Sequence, residues 1–173
     1  MTRVNRSGWT AYALAVLIVA LDQAAKYWVV NVLRLQDIDT VAVAGPLHLT
    51  WVMNPGVSFG FLRADHDVAR WGLVVFSLVV AVMIAWWARR AHRGLQVLGY
   101  GLIAGGAVGN AIDRTRLGYV VDFIDVQRLG FFPWVFNIAD SAITVGVIAL
   151  LLDSLRREQA GKGAEPVDSA PRD

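Results

Sequence analysis

Four apolar runs in this chain are long enough to cross a bilayer. A membrane-spanning helix takes roughly 20 apolar residues, with a range of about 17–25. The runs cover residues 9–30, 71–88, 95–112 and 134–152. Asp22 and Lys26 interrupt the first, no charge interrupts the third, and Asp140 is the only charge in the fourth. Between the first two runs, residues 40–52 are rich in β-branched and apolar residues, with Gly45-Pro46 as a turn. That pattern predicts a small β-structure resting on the membrane. Residues 63–70 read as a short surface helix leading into the second span. Residues 161–173 carry Gly, Pro, Ser and charge without an apolar period, and read as disordered. The expected fold is an all-α membrane protein. It has four transmembrane helices, a small extracytoplasmic β-structure and a short surface helix, in one domain over residues 1–155. Residues 156–173 are expected to form a disordered cytoplasmic tail.

Composition agrees with a membrane protein. Of 173 residues, 56% are hydrophobic and 17% charged, where soluble domains carry about 25% charged residues. The aromatic residues suit interfacial belts. Cysteine is absent, which excludes disulfides, a thiol nucleophile, thiolate ligands and a lipid-modified cysteine on this chain. A net charge of +2 is too small to argue for nucleic acid. The first run starts with basic residues, as a cleaved signal peptide does. Its apolar character nevertheless resumes at Tyr27, beyond the polar insertion, so a retained helix fits better.

Loop charges set an orientation. Arg3 and Arg6 precede the first span, Arg89, Arg90 and Arg93 join the second to the third, and Arg156 and Arg157 follow the fourth. Four spans place these segments on one side, and the positive-inside rule makes that side cytoplasmic. The segments 31–70 and 113–133 mix both signs and are expected to face outward.

Two carboxylates then become the centre of interest. Asp122 lies in Val120-Val121-Asp122-Phe123, and Asp140 in Phe136-Asn137-Ile138-Ala139-Asp140-Ser141. Carboxylates at membrane depth are costly and mark functional sites. If the two converge, one pKa rises and the pair shares a proton, which suits water activation as in aspartic proteases. Asn137, Asp140, Ser141 and Thr144 form a polar stripe expected to face the bundle interior. With a helix start near Trp134, Asp140 falls roughly 9 Å below the outer end. Asp22 and Lys26 stand one helical turn apart and read as an ion pair. Lys26 also remains a candidate general base for Ser58 or Ser141. Asn110 and Arg114 share a helix face, with Asp113 beside them, as an interfacial ionic cluster or as part of a site. Gly101, Gly105 and Gly109 place small residues on one face for close helix packing. His48, His66 and His92 show no metal-ligand spacing.

The chain resembles the bacterial lipoprotein signal peptidases, the type II signal peptidases, a family of aspartic intramembrane proteases. The likeness is carried by Asp22-Gln23-Ala24-Ala25-Lys26, Asn54-Pro55-Gly56-Val57-Ser58-Phe59-Gly60, Gly105 through Arg114, Val120-Val121-Asp122-Phe123 and Phe136 through Ser141. It spans roughly residues 9–155. The resemblance implies cleavage of diacylglyceryl-modified prolipoproteins just before the lipidated cysteine, with Asp122 and Asp140 catalytic. Asp22, Lys26, Asn54, Gly56, Asn110, Asp113, Arg114 and Asn137 match supporting or substrate-binding positions. It implies no metal, no cofactor, contact with membrane lipid and a monomer. The expected location is the bacterial inner membrane, with both termini cytoplasmic and the site near the outer face. A small proton-coupled transporter or channel subunit using Asp140 is the alternative reading, and a purely structural membrane partner a third.

Overall fold

The computed structural model describes residues 3–56, 66–130 and 132–162. Among the described residues, four helices are long and apolar enough to cross a membrane: Arg6–Val32, Asp67–Ala88, Gly94–Leu117 and Ile138–Gln159. The first begins as α1 (Arg6–Tyr27), where the Asn5 side chain accepts from Gly8 N at 2.7 Å and caps the start. It ends in a π-helical turn, Trp28–Val32. A four-residue helix α2 (Leu35–Ile38) follows, entered and left through Arg34 and Asp39, both at positive φ. The hairpin β1 (Thr40–Ala44) and β2 (Leu47–Asn54) comes next. Helices α3 (His66–Ala88) and α4 (Gly94–Leu117) form an antiparallel pair. Gly118, at φ 87°, closes α4 with its N–H on Arg114 O, an αL cap that turns the chain into β3 (Val120–Asp125). Strand β4 (Val135–Phe136) then leads to α5 (Ile138–Lys162).

Helix α4 is the hub of the bundle and packs against α1, α3 and α5. Of its apolar window 61% is buried, against 17% in α1. Its glycines explain why. A Cβ at Gly101 or Gly105 would lie 2.9 Å from Ala11 O or 2.7 Å from Ala15 O of α1. On another face, Gly99 meets Gly146 O of α5, and Gly106 meets Ala139 O. Two glycine-lined faces on one helix let two neighbours approach at backbone distance. The apolar residues left outside, such as Val16 and Val82, are exposed on the surface of the bundle.

The sheet is antiparallel in the order β1-β2-β3-β4. Val52 stands opposite Asp122, and Ile124 opposite Phe136. Val121 and Phe123 bury against Val29 and Leu35 at the C-terminal end of the first span. Alternation along β3 therefore turns Asp122 to the other face.

Several boundaries differ from the sequence-based expectation. The β-structure was expected from residues 40–52 alone, yet it also recruits residues 120–125 and 135–136. The fourth helix starts at Ile138, not near Trp134, because Val135 and Phe136 pair with β3 and Asn137 caps the helix. Asp140 consequently sits in the first turn. The expected surface helix at 63–70 lies partly outside the described residues, and from His66 onward the chain already belongs to α3. Helix α5 continues past residue 155 to Lys162, while residues 163–173 of the expected tail lie outside the described residues.

Candidate active site

Asp122 and Asp140 reach the site from a strand and from a helix start, and asparagine side chains tie them together. Asp122 is 1% exposed. Its Oδ2 accepts from Asn54 Nδ2 at 2.9 Å and its Oδ1 from Asn137 Nδ2 at 2.6 Å. Asp140 is half-buried and accepts from Asn110 Nδ2 at 2.7 Å on Oδ1. Asn137 serves both acids, since its Oδ1 also accepts the Asp140 N–H at 2.9 Å as the cap of α5. Asn110 Oδ1 in turn accepts from Asn137 Nδ2 at 3.2 Å. One amide chain thus runs Asp122–Asn137–Asn110–Asp140.

Behind that chain lies an ionic cluster. Lys26 Nζ is 2.8 Å from Asp22 Oδ2, 2.7 Å from Asp113 Oδ2 and 3.2 Å from Asn110 Oδ1. All three partners are buried. Each carboxylate also grips the backbone next to an acid of the pair. Asp22 Oδ1 accepts the Ala139 N–H at 3.0 Å, just before Asp140. Asp113 Oδ2 accepts the Val121 N–H at 3.2 Å, just before Asp122. Gln23 Nε2 joins the two, donating to Asp113 Oδ1 at 2.8 Å and to Asp22 Oδ2 at 3.2 Å. The Asp22 carboxylate also lies at the N-terminal turn of α5, where the helix dipole favours negative charge.

Burial pushes the Asp122 carboxyl up to about 6, and the charge of Asp140 adds to the rise. The amides of Asn54 and Asn137 act in the opposite sense. Arg114 brings positive charge to both acids, and its Nε is buried without a hydrogen bond. Gly56 makes room for it: a Cβ there would lie 3.1 Å from an Arg114 terminal nitrogen. At φ 79°, Gly56 also folds its N–H onto Asn54 Oδ1 at 2.8 Å, which turns the Asn54 amide toward Asp122.

The ten residues singled out in the sequence are therefore brought into one neighbourhood. The partners that the sequence left open for Asp113 and Arg114 are now given: Asp113 pairs with Lys26, and Arg114 lies in the field of Asp140, Asp122 and Asp113. Two details differ, at Lys26 and at Thr144. Lys26 is enclosed by its three acceptors and is no base for Ser141, whose hydroxyl donates to Asn137 O at 2.9 Å. Ser58 lies outside the described residues. Thr144, expected inside the bundle, is exposed, because its hydroxyl bonds its own helix at Asp140 O and needs no interior partner. Gln23 went unassigned, and Gly109 was assigned only to helix packing. Gln23 shows itself only as an amide beside Asp22 in an apolar run. A Cβ at Gly109 would lie 2.8 Å from Asp22 Oδ2, which no spacing rule reveals.

Comparison with known proteins places the chain in a family. Residues 14–156 match the family described as Signal peptidase (SPase) II. The chain is similar to a lipoprotein signal peptidase of Caulobacter vibrioides, 53% identical over 157 residues that cover 90% of this chain and 92% of that protein. One from Rhizorhabdus wittichii is 41% identical, over 91% of this chain and 92% of that protein. Two solved bacterial membrane enzymes share the fold. One has a TM-score of 0.75 at 28% identity, covering 97% of this chain and 99% of that one. The other has 0.73 at 30%, covering 84% and 92%.

Proposed function

Since this chain belongs to the signal peptidase II family and is a membrane protease that processes lipoprotein precursors, we propose that Asp122 and Asp140 are its catalytic pair. They cleave a diacylglyceryl-modified prolipoprotein just before the lipidated cysteine. The observation that carries the reading is the shared amide: Asn137 holds Asp122 by its NH₂ and Asp140 by its oxygen. The pair holds one proton. A water between the acids loses its proton to the charged carboxylate as its oxygen attacks the scissile carbonyl, while the protonated acid donates to the carbonyl oxygen. Collapse of the tetrahedral intermediate passes a proton to the departing amine. Arg114, with an unengaged buried Nε beside the acids, is suited to hold a substrate carbonyl. Lys26, Asp22 and Asp113 position the acids through the Ala139 and Val121 amides.

The site stands at the end of the bundle where the sheet lies, and we assign that end to the outer face. Arg6, Arg89, Arg90, Arg93, Arg156 and Arg157 concentrate at the other, which the positive-inside rule makes cytoplasmic together with both termini. One chain supplies every residue of the site, so a monomer suffices.

Asn is nearly isosteric with Asp but carries no titratable proton. Asp122→Asn and Asp140→Asn are each expected to lower the rate by at least about 10²–10⁴-fold, with the fold retained. The measurement is cleavage of a lipidated precursor by each purified variant. A near-normal rate in either one makes that carboxylate structural and ends the dyad assignment.

A further inference from the structure

Arg114 brings its charge to Asp122 and Asp140, yet its side chain has no polar anchor. Its buried Nε has no hydrogen-bond partner, and among the described residues its guanidinium makes no ion pair. A side chain without polar anchors is aimed by its backbone and by the walls around it. One wall is Gly56, where an added Cβ would lie 3.1 Å from Arg114 Nη2. The same Cβ would lie 2.5 Å from Leu73 Cδ1, so α3 closes Gly56 onto Arg114.

The backbone of Arg114 is gripped from α3 as well. Arg70, three residues before Leu73, donates from Nε to Arg114 O at 2.7 Å and from Nη2 to Thr115 O at 2.7 Å. Both carbonyls belong to the last turn of α4. Carbonyls there lack helical partners, and the helix dipole favours a cation beside them. A planar fork on two successive carbonyls fixes the direction of the peptide as well as its place, which a point-charge ammonium does not. The ion pair of Arg70 with Asp67, at 3.9 Å to an acid 82% exposed, is too weak to compete for the guanidinium. Strand β3 has fixings of its own, since β2 sets its register and Asp113 holds the Val121 N–H. Loss of the Arg70 fork therefore falls on Arg114 before it reaches Asp122.

We propose that Arg70 is the positioning residue for Arg114, a role that rests on the catalytic reading of Asp122 and Asp140. By holding the end of α4, it keeps the Arg114 guanidinium where charge develops on the substrate carbonyl. It touches neither the substrate nor the acids.

The test measures cleavage of a lipidated precursor by the full chain in detergent. Arg70→Met keeps the apolar stem and removes both donors. It should lower kcat about tenfold and change KM by less than about twofold, because misplacement of a group that acts in the transition state leaves ground-state binding alone. Asp67→Asn, which removes only the exposed ion pair, should leave both unchanged. The decisive reading is a double-mutant cycle with Arg114→Met, run with excess enzyme in single turnovers so that slow rates are measured. Once Arg114 has lost its guanidinium, Arg70→Met should cost nothing more. Equal losses in both backgrounds would make Arg70 a brace of the fold and end its role toward Arg114. Wild-type kcat in Arg70→Met, or a rise in KM alone, would also overturn it. Asp122→Asn in the same assay separates the two claims. If it is inactive while Arg70→Met is normal, only the role of Arg70 fails. If it cleaves normally, the acid pair and the role of Arg70 fall together. Should Arg70→Met not fold, Arg70→Gln, whose shorter side chain cannot reproduce the fork, is read by the same cycle with the same outcomes.

Discussion

Lys26 shows how much one side chain can organise. It is 4% exposed, and its two carboxylate partners each hold the peptide N–H that precedes an acid of the pair. Removing the cation leaves two buried carboxylates facing each other. Breaking a buried pair in this way typically costs about 3–5 kcal/mol. Lys26→Ala should therefore lower Tm sharply, and the folded fraction should keep measurable cleavage at high enzyme concentration, because Lys26 positions the acids without exchanging their proton. Complete loss of cleavage in protein shown to be folded would contradict that role. Asp122 gives a prediction in pH. Its carboxyl is raised from 3.8 to about 6 on folding, so the native state holds the proton more tightly than the unfolded chain. The stability conferred by that proton is full below about 3.8 and is lost as pH rises to about 6. The Asn variant has no such loss. The difference in Tm, Asp122→Asn minus wild type, should rise between pH 4 and pH 6 and then level. A flat difference across that range means the carboxyl titrates normally.

The glycines of α4 act at the scale of helices. Gly105 touches the backbone of α1, where a Cβ would stand 2.7 Å from Ala15 O, and no side-chain rotation relieves that contact. Gly105→Ala must push α1 outward and carry Asp22 and Lys26 with it. Overpacking of this kind costs about 1–3 kcal/mol. The expected result is a lower Tm together with a larger loss of kcat than of substrate affinity, measured on a lipidated precursor in detergent. Gly94, with no atom near its added Cβ, should accept Ala with little change in either. If Gly105→Ala behaves like Gly94→Ala, close packing of α4 on α1 does not set the site. The sheet has a similar reach: β3 delivers Asp122 only because β2 on one side and β4 on the other fix its register.

For the molecule in its membrane, the expectation is a polarised bundle. The acid pair and sheet occupy one end, and Arg89, Arg90, Arg93 and Arg157 the other. The chain contains no cysteine, so single cysteines can report topology without background. A cysteine at Arg90 should resist an impermeant thiol reagent in intact cells, and one at Thr50 in β2 should react. The reverse labelling pattern overturns the orientation. Cleavage by the purified protein should also survive strong chelators, since two carboxylic acids suffice to activate water.

The sequence by itself determined the elements that rest on local composition. Apolar runs of membrane length exist whatever they pack against, and the Asp22/Lys26 pair follows from i,i+4 spacing within one helix. The arginine distribution and the residue types of the site were equally legible. Pairings between distant segments were decided only in the tertiary structure. Val135 and Phe136 read as the start of a span, but β3 supplies them with strand partners, and the helix begins only where Asn137 caps it. Asp113 stands next to Arg114 in the chain yet bonds Lys26, 87 positions away, because the α4 glycines bring α1 within reach. The physical reason is common to both cases. A buried polar group takes whichever partner satisfies it where water is scarce, and which partner lies within 3 Å is a property of how the helices pack.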